Sequence, residues 1–380
     1  MLYHGVSAMK RPLTLTLCLT HNCNLRCRYC YAGRKTAQSM PWETARAGID
    51  LGLAEAERLG ISLDLSFFGG EPLLEYPLLQ RCYDYLHERG SRLVSPPRFG
   101  ITTNGTLLTE EKLAWMTERD FLVGLSVDGN AAMHDTNRCY ADGSGSHAAV
   151  AETLALFRKF PALRRKCVCV VNPANCRHLA AGVRWLHEHF EGPIGLNFDF
   201  WHAWSDAEFA LLSAQAEEVQ QMMLAAYRAG ERVPQVENII GKIHTHLNGK
   251  GCELCRIGEQ EIAVSAEGNL FPCSRLVGEG NSDFINFGHV STGIDRAKQA
   301  LLISQRGNNT PACKLCALRT RCMNGCGCTN YAASGKIDRV SPFLCSCERL
   351  LIRLADELAE QLYAEHNPAF MRDFYGEGQS

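Results

Sequence analysis

The stretch Leu13-Thr-Leu-Thr-Leu-Cys-Leu19, followed shortly by Cys23-Asn-Leu-Arg-Cys27-Arg-Tyr-Cys30, decides how the rest of the chain is read. Leucines at every second position describe a strand, because alternate side chains of an extended chain face opposite ways. Three cysteines then fall in the loop at that strand's C-terminal end. Outward from there, strand-like apolar runs recur at 62–68, 98–103, 121–127, 166–172 and 194–200. Helical patterns lie between them near 42–59, 73–89, 109–119, 146–158 and 178–190. Thr109 before Glu110 and Glu111 supplies an N-cap with acidic first-turn residues. Alternating β and α units predict an α/β fold with a parallel sheet, and six of them are too few for a complete eight-stranded barrel. The expectation is a partial (β/α)6 TIM-like barrel, open on one side, with its site at the strands' C-terminal ends.

Beyond the sixth strand the pattern changes. Ser205-Asp206 opens and Gly230 closes a helix expected at about 206–228, inside a helical bridge spanning 206–250. Residues 251–348 are rich in Gly and Cys, with short strand candidates only at Glu261–Ala266 and Asn269–Pro272. Such a segment buries little apolar surface and needs bound metal to hold its shape. Residues 349–366 read as an amphipathic helix, with Leu351, Leu354, Ala355, Leu358 and Leu362 on one face. The expected divisions are therefore a barrel at 1–205, the bridge, the Cys-rich domain, and a C-terminal helix and tail at 349–380.

Composition narrows the class. A net charge of −2 argues against a nucleic-acid partner, since such domains carry a basic excess. The first residues lack a secretory h-region, and no apolar run reaches the roughly 18 residues of a membrane span. A cytoplasmic protein that does not enter a membrane is expected. The 19 cysteines stand out. In a large chain without an export signal, closely spaced cysteines point to metal ligands or catalytic groups rather than disulfides.

Cys23, Cys27 and Cys30 follow the pattern C-x3-C-x2-C. Three thiolates can bind three irons of a [4Fe–4S] cubane and leave the fourth iron open to a small ligand. A zinc site would need a fourth protein ligand, for which His21 is available. Further motifs stand at or just after successive strand ends: Gly69-Gly70-Glu71-Pro72, Thr102-Thr103-Asn104-Gly105 and Ser126-Val127-Asp128-Gly129. His134-Asp135-x2-Arg138 and Gly143-x-Gly145-Ser146 come next. Each alone is a turn-plus-cap signal. In this order, together with the cysteines, they resemble the radical-SAM superfamily. The resemblance implies that S-adenosylmethionine (SAM) chelates the open iron and is cleaved to a 5′-deoxyadenosyl radical. It also implies cofactor contacts by Tyr29, Gly69, Gly70, Glu71, Pro72, Thr102, Asn104, Ser126, Asp128 and Arg138. Asn172 and Asp199, at the ends of strands five and six, are candidates for substrate contact or for loop capping.

Cys313-x2-Cys316-x5-Cys322-x3-Cys326, preceded by Cys255-x12-Gly268-x4-Cys273 and followed by Cys345 or Cys347, resembles the SPASM domain of peptide- and protein-modifying radical-SAM enzymes. The resemblance implies two auxiliary [4Fe–4S] clusters. One would use Cys255, Cys273 and Cys326, with Cys252 available as fourth ligand. The other would use Cys313, Cys316, Cys322 and a late cysteine, for which Cys345 fits better than Cys347. A pair of zinc-ribbon sites is the alternative that the C-x2-C units leave open. Cys139 and Cys328 remain as spare thiols to watch for catalysis.

Two reactions compete within the resemblance. In anaerobic sulfatase-maturating enzymes an acidic residue follows the cysteine of the Gly-x4-Cys unit and acts as a base, and here that position is Ser274. A maturase that crosslinks or otherwise oxidises a ribosomally made peptide is therefore the favoured expectation, with formylglycine formation as the alternative and a non-catalytic metal scaffold as a remote third. Implied partners are the peptide or protein substrate and an external electron donor of flavodoxin or ferredoxin type. With 22 residues ahead of Cys23, leader recognition is expected to need another surface or a separate leader-binding protein.

Overall fold

The computed structural model describes residues 11–32, 35–247, 256–278, 285–307, 310–323 and 325–376. Six βα units run through the first half: β1 (Leu13–Cys18), α1 (Trp42–Leu59), β2 (Leu63–Phe68), α2 (Tyr76–Arg89), β3 (Arg98–Thr103), α3 (Glu110–Glu118) and β4 (Leu122–Ser126). They continue with a single turn α4 (Ala131–His134), then α5 (His147–Phe157), β5 (Arg164–Val171), α6 (Leu179–His189) and β6 (Ile194–Phe198). Thr109 caps α3, its hydroxyl accepting from the Lys112 amide. Every neighbouring pair from β1 to β6 is parallel, and consecutive strands lie side by side.

The alternation that marked the strands sorts their side chains. Leu13, Leu15 and Leu17 of β1, Leu63, Leu65 and Phe67 of β2, and Phe99 and Ile101 of β3 are buried. Thr102, Ser126 and Asn197 are only half-buried, and Thr102 lies on the opposite face of its strand from Ile101. This is the layer pattern of a parallel sheet covered by helices on its outer side.

The C-terminal half does not stand apart from this sheet. After α7 (Asp206–Ala229) and α8 (Glu237–Leu247), β7 (Glu261–Val264) pairs in parallel with the free edge of β1, and β8 (Leu270–Phe271) pairs antiparallel with β7. Both strands had been expected from the sequence, but not their place. The result is one eight-stranded sheet, β6-β5-β4-β3-β2-β1-β7-β8, in which the Cys-rich segment extends the barrel wall. The remainder is β9 (Gly288–His289), β10 (Gly293–Ile294), α9 (Arg296–Ser304), α10 (Pro311–Lys314), α11 (Gly327–Ser334), α12 (Pro342–Ala364) and α13 (Pro368–Tyr375).

The expected bridge helix is α7, fixed by a Ser205/Glu208 capping box and ended by Gly230 in the left-handed conformation. The terminal helix differs from expectation. It begins at Pro342 rather than 349, because Ser341 accepts from the Leu344 amide and Pro342 occupies the first turn. Cys345 and Cys347 therefore lie on this helix. Among the described residues no helix is long and apolar enough to cross a membrane.

Candidate active site

The loop after β1 carries Cys23, Cys27 and Cys30, and backbone hydrogen bonds clamp it from two sides. From β2's end, the Gly70 amide donates to the Thr20 carbonyl (2.7 Å) and the Glu71 amide to that of Asn22 (2.8 Å). From the segment after α4, Arg26 N donates to Cys139 O (2.6 Å) and Arg28 N to Asn137 O (2.9 Å). The two glycines of Gly69-Gly70-Glu71-Pro72 make the first clamp possible. A Cβ at Gly70 would stand 1.9 Å from the Asn22 carbonyl oxygen, and one at Gly69 2.5 Å from that of Thr20, where φ is also +129°.

Glu71 is fully buried beneath this contact. Its carboxylate accepts from Leu73 N (3.0 Å), Thr103 Oγ1 (2.7 Å) and Asn104 N (2.8 Å), tying β2's end to β3's end. Burial raises its pKa, and those donors hold it back. Asn104 reaches toward the loop, donating through Nδ2 to Asn24 Oδ1 (2.9 Å) and lying 3.8 Å from Cys23 Sγ. The Leu25 amide also donates to Cys23 Sγ (3.4 Å), and Lys35 Nζ donates to Cys30 Sγ (2.9 Å). Donors aimed at sulfur stabilise thiolates and tune a bound metal group.

The end of β4 is organised around Asp128, which has no exposed surface. Its carboxylate accepts from Tyr29 Oη (2.6 Å), Arg138 Nη2 (2.9 Å) and Val170 N (2.8 Å). Arg138 also lies over the Tyr29 ring at 5.3 Å. Behind it, His134 Nδ1 accepts from Asp128 N (3.2 Å), its Nε2 donates to Ser146 Oγ (3.0 Å), and that hydroxyl donates to Arg138 O (2.9 Å). Burial, with Arg138 and His147 nearby, pushes the His134 pKa down to about 2, so the ring is neutral. The motifs His134-x3-Arg138 and Gly145-Ser146 are thus one brace for Asp128.

The set fits a cluster with SAM on two observations. Arg138 Nε is buried without a partner among the described residues, a donor still to be satisfied. The Thr102 and Ser126 hydroxyls have no side-chain partner among the described residues either, and both belong to strands of the barrel wall at its C-terminal end. Cys27 is pushed up to about 12 by burial, with Cys30, Asp128 and Cys23 adding to the rise and Arg138 opposing it. Binding iron there must displace the thiol proton.

At the ends of β5 and β6 the structure separates the two candidate residues. Asn172 accepts from the Ala174 (3.1 Å) and Asn175 (3.2 Å) amides and pairs with Asn137, so it caps its own turn. Asp199 accepts from Trp201 N (2.9 Å) and from His202 Nδ1 (2.6 Å). His202 was not singled out from the sequence. Its only local signal is a spacing of three from Asp199, which many loop histidines share. It lines a cavity of about 320 Å³ together with Arg28, Asn137, Asn172, Pro173 and Ala174.

In the Cys-rich half, Cys252 and Cys255 lie outside the described residues. Cys273 precedes a single helical turn, Cys326 caps α11, and Cys328 is buried beside both, its sulfur 3.3 Å from that of Cys326. Burial works against the charge of Arg275, but Cys328, Cys326, Cys273 and Tyr31 together raise its pKa. Its Nη2 donates to Asn197 Oδ1 of β6 (2.7 Å), which connects this nest to the barrel. Cys313 and Cys316 flank the end of α10, and Cys322 follows a short turn. That turn is fastened to α12, where Glu348 accepts from Met323 N (2.6 Å) and from Lys242 Nζ (2.7 Å). Cys345 is half-buried on α12's first turn, whereas Cys347 faces the main core and burial pushes its thiol well up.

The C-terminal ends of β2, β3 and β4 thus bring Glu71, Asn104 and Asp128 against the three-cysteine loop that follows β1. Residues 17–164, which span the barrel from β1 to the start of β5, match the Radical SAM superfamily. Enzymes of that superfamily use SAM and a [4Fe–4S] cluster. A protein of Methanocaldococcus jannaschii is 36% identical over 132 residues, covering 35% of this chain and 44% of that protein. The cysteine-type anaerobic sulfatase-maturating enzyme of Clostridium perfringens is 29% identical over 192 residues, 47% of this chain and 49% of the enzyme. The match thus spans about half the length of these relatives. The subtilosin biosynthesis protein AlbA of Bacillus subtilis is 25% identical over 71% of this chain and 56% of AlbA. Among solved structures, anSMEcpe with bound AdoMet and Cp18Cys peptide shares the fold with a TM-score of 0.75 at 20% identity, over 94% of this chain and 99% of that one.

Proposed function

We propose that the chain is a peptide maturase that abstracts a hydrogen atom from a ribosomally made peptide and installs a thioether or carbon–carbon crosslink or a related oxidation. The observation that carries this reading is the residue pair after Cys273: Ser274 and the cation Arg275 stand where a sulfatase-maturing enzyme keeps an acidic base. Cys23, Cys27 and Cys30 are assigned to the SAM-binding cluster. Cys255, Cys273 and Cys326 are assigned to the first auxiliary cluster, with Cys252 the fourth thiol that spacing offers. Cys313, Cys316, Cys322 and Cys345 are assigned to the second.

Bound together, SAM and its cluster supply a 5′-deoxyadenosyl radical. The chain's own residues orient and shield it. Arg138, its guanidinium fixed by Asp128, would offer its unpartnered Nε to the carboxylate of SAM. Thr102 and Ser126 offer hydroxyls, Tyr29 packs beside Arg138, and Gly69, Gly70 and Pro72 carry the β2 rim against the loop. Glu71 and Asn104 act through the backbone they hold. The proton released when a substrate thiol is oxidised needs an acceptor, and His202 supplies one. With its Nδ1–H donated to Asp199, Nε2 is the basic nitrogen, and it has no partner among the described residues. The cluster that Cys273 and Cys326 would hold, or that of Cys313, Cys316, Cys322 and Cys345, would supply an acceptor for the oxidised substrate's electron. A flavodoxin- or ferredoxin-type donor and a leader-binding protein complete the proposed partners, and a reducing cytoplasm suits the free thiols.

Formylglycine formation is the second reading, favoured by the full-length fold overlap with anSMEcpe. Co-expression with a Cys-rich precursor peptide followed by mass spectrometry separates the two. Loss of two hydrogens with sulfur retained marks a crosslink, and loss of the cysteine sulfur with gain of a carbonyl marks formylglycine. An unmodified peptide, with no 5′-deoxyadenosine formed, overturns both.

A further inference from the structure

The cavity of about 320 Å³ beside His202 joins three parts of the barrel mouth: Arg28 comes from the cysteine loop, Asn172 follows β5 and His202 follows β6. Its volume is at the small end for a ligand site and suits one or two residues of an extended chain. Arg28 directly follows Cys27, and its backbone amide donates to the Asn137 carbonyl (2.9 Å), so the cavity is fastened to the loop.

The walls of this cavity offer donors and, among the described residues, no carboxylate. The Arg28 side chain is exposed, permanently charged, and has no ion pair or hydrogen bond with another described residue. Asn172 Oδ1 accepts from the Ala174 and Asn175 amides, which fixes the orientation of that side chain. Its Nδ2 then donates to Asn137 Oδ1 (3.2 Å), and Asn137 Nδ2 donates back (3.1 Å). Both amide oxygens are thereby occupied, while each nitrogen keeps one uncommitted hydrogen. The nearby acid, Asp199, is buried and already bound to Trp201 N and His202 Nδ1. A free guanidinium beside spare amide donors, with no anion of its own, is complementary to an anionic guest.

Building on the peptide-maturase reading, we propose that this cavity receives a carboxylate of the substrate peptide on Arg28, carried either by an acidic side chain near the modified residue or by the chain end. The planar guanidinium can take a carboxylate through two parallel hydrogen bonds, and the Asn137 and Asn172 amides add donors beside it. The seated carboxylate holds the adjoining residue between the cysteine loop and His202. Arg28 therefore determines which peptides are held there and does not touch the reacting atoms.

The test measures binding of fluorescein-labelled decapeptides to the full chain, reconstituted anaerobically and saturated with SAM. Each peptide carries one central Cys among Gly, Ala and Ser. Three pools have amidated ends and a single Asp, Asn or Lys at mixed positions around the Cys, and a fourth is the Asn pool with a free C-terminal carboxylate. At least one carboxylate-bearing pool should bind the wild type about tenfold more tightly than the amidated Asn pool, with the Lys pool weakest. Preference for the Asp pool assigns the guest to a side chain, and preference for the free-acid pool assigns it to the chain end. Arg28→Gln should erase the preference at unchanged iron content, because its side chain has no partner in the chain to lose, and Arg28→Glu should turn it toward the Lys pool. Equal binding of all four pools, no binding of any, or a preference that survives Arg28→Gln would overturn the carboxylate subsite. Where Arg28→Gln does not load iron, Arg28→Lys decides: it keeps the charge without the two-pronged geometry, so the preference must shrink, and an unchanged one overturns the subsite. A precursor that is modified while binding ignores charge would strike this subsite alone. Carboxylate-selective binding with a precursor that is never modified would strike the maturase reading instead.

Discussion

The loop at Cys23–Cys30 and the nest at Cys273–Cys328 are both built from thiols, yet the chain prepares them differently. The first is clamped by backbone hydrogen bonds from two rims of the barrel, so its shape comes from the sheet. The second sits among two-residue strands and single turns, joined to the sheet mainly through β7 and Arg275. A site that must cleave a cofactor and direct a reactive carbon gains from preorganisation. Under the proposed function the second site only accepts an electron and would take part of its shape from the metal it binds. Metal removal should expose this difference. After chelation of iron, hydrogen exchange should accelerate across 256–340 while β1–β6 stay protected; uniform loss of protection would contradict the comparison.

The largest effect on the first region comes from its sulfurs. Cys27→Ala should abolish 5′-deoxyadenosine formation from SAM and reductant and lower iron from about twelve to about eight per chain, with the auxiliary signals intact. Two zincs in place of iron in the purified wild-type protein would contradict the radical reading.

Next is the clamp. Gly70→Ala sets a methyl group 1.9 Å from the Asn22 carbonyl oxygen, backbone against backbone, with no flexible side chain to yield. A cost above about 4 kcal/mol is expected, or displacement of the loop with loss of about four irons. Wild-type iron content and an unchanged thermal midpoint would show that the clamp does not matter.

Most of the barrel was legible because Leu13–Leu19 and its five successors alternate strictly and are punctuated by helices with recognisable caps. The place of β7 was not, since four residues, Glu261–Val264, carry no information about which edge they will join. The strand-end motifs were found, but some of their roles read differently in three dimensions. Asp128 and Glu71 look like cofactor contacts in a linear pattern, and the structure shows both carboxylates engaged by the protein itself. His202 and Cys328 were the residues hardest to value. One depends on a loop fold that brings it back to Asp199, and the other on packing between segments about fifty residues apart, which no local spacing encodes.

Asp128→Asn removes the only carboxylate facing Arg138 among the described residues and leaves a buried cation. Breaking one side of such a pair costs about 3–5 kcal/mol, so the denaturant midpoint of the barrel should fall and SAM binding weaken. The pH dependence comes from the histidine behind it. His134 has a folded pKa of about 2 against an ordinary 6.5, so the native state holds fewer protons than the unfolded one between those values. Its contribution to stability is complete above the unfolded value and is lost progressively as pH falls below it. His134→Gln should flatten the acid limb of the stability curve; an unchanged limb would assign that loss to other groups.

The smallest effect separates two cysteines on one helix. Cys347 packs in the core beside Leu351, so Cys347→Ala should cost about 1 kcal/mol and leave iron content unchanged. Cys345 sits half-exposed on α12's first turn, where Cys345→Ala removes little packing. Its stability before metal loading should therefore match the wild type, while about four irons are lost on reconstitution. The opposite pattern, iron lost from the Cys347 variant and retained by the Cys345 variant, would require α12 to rotate by about half a turn on metal binding. The second region would then take even its helix orientation from the cluster, and the contrast with the preorganised loop would be sharper still.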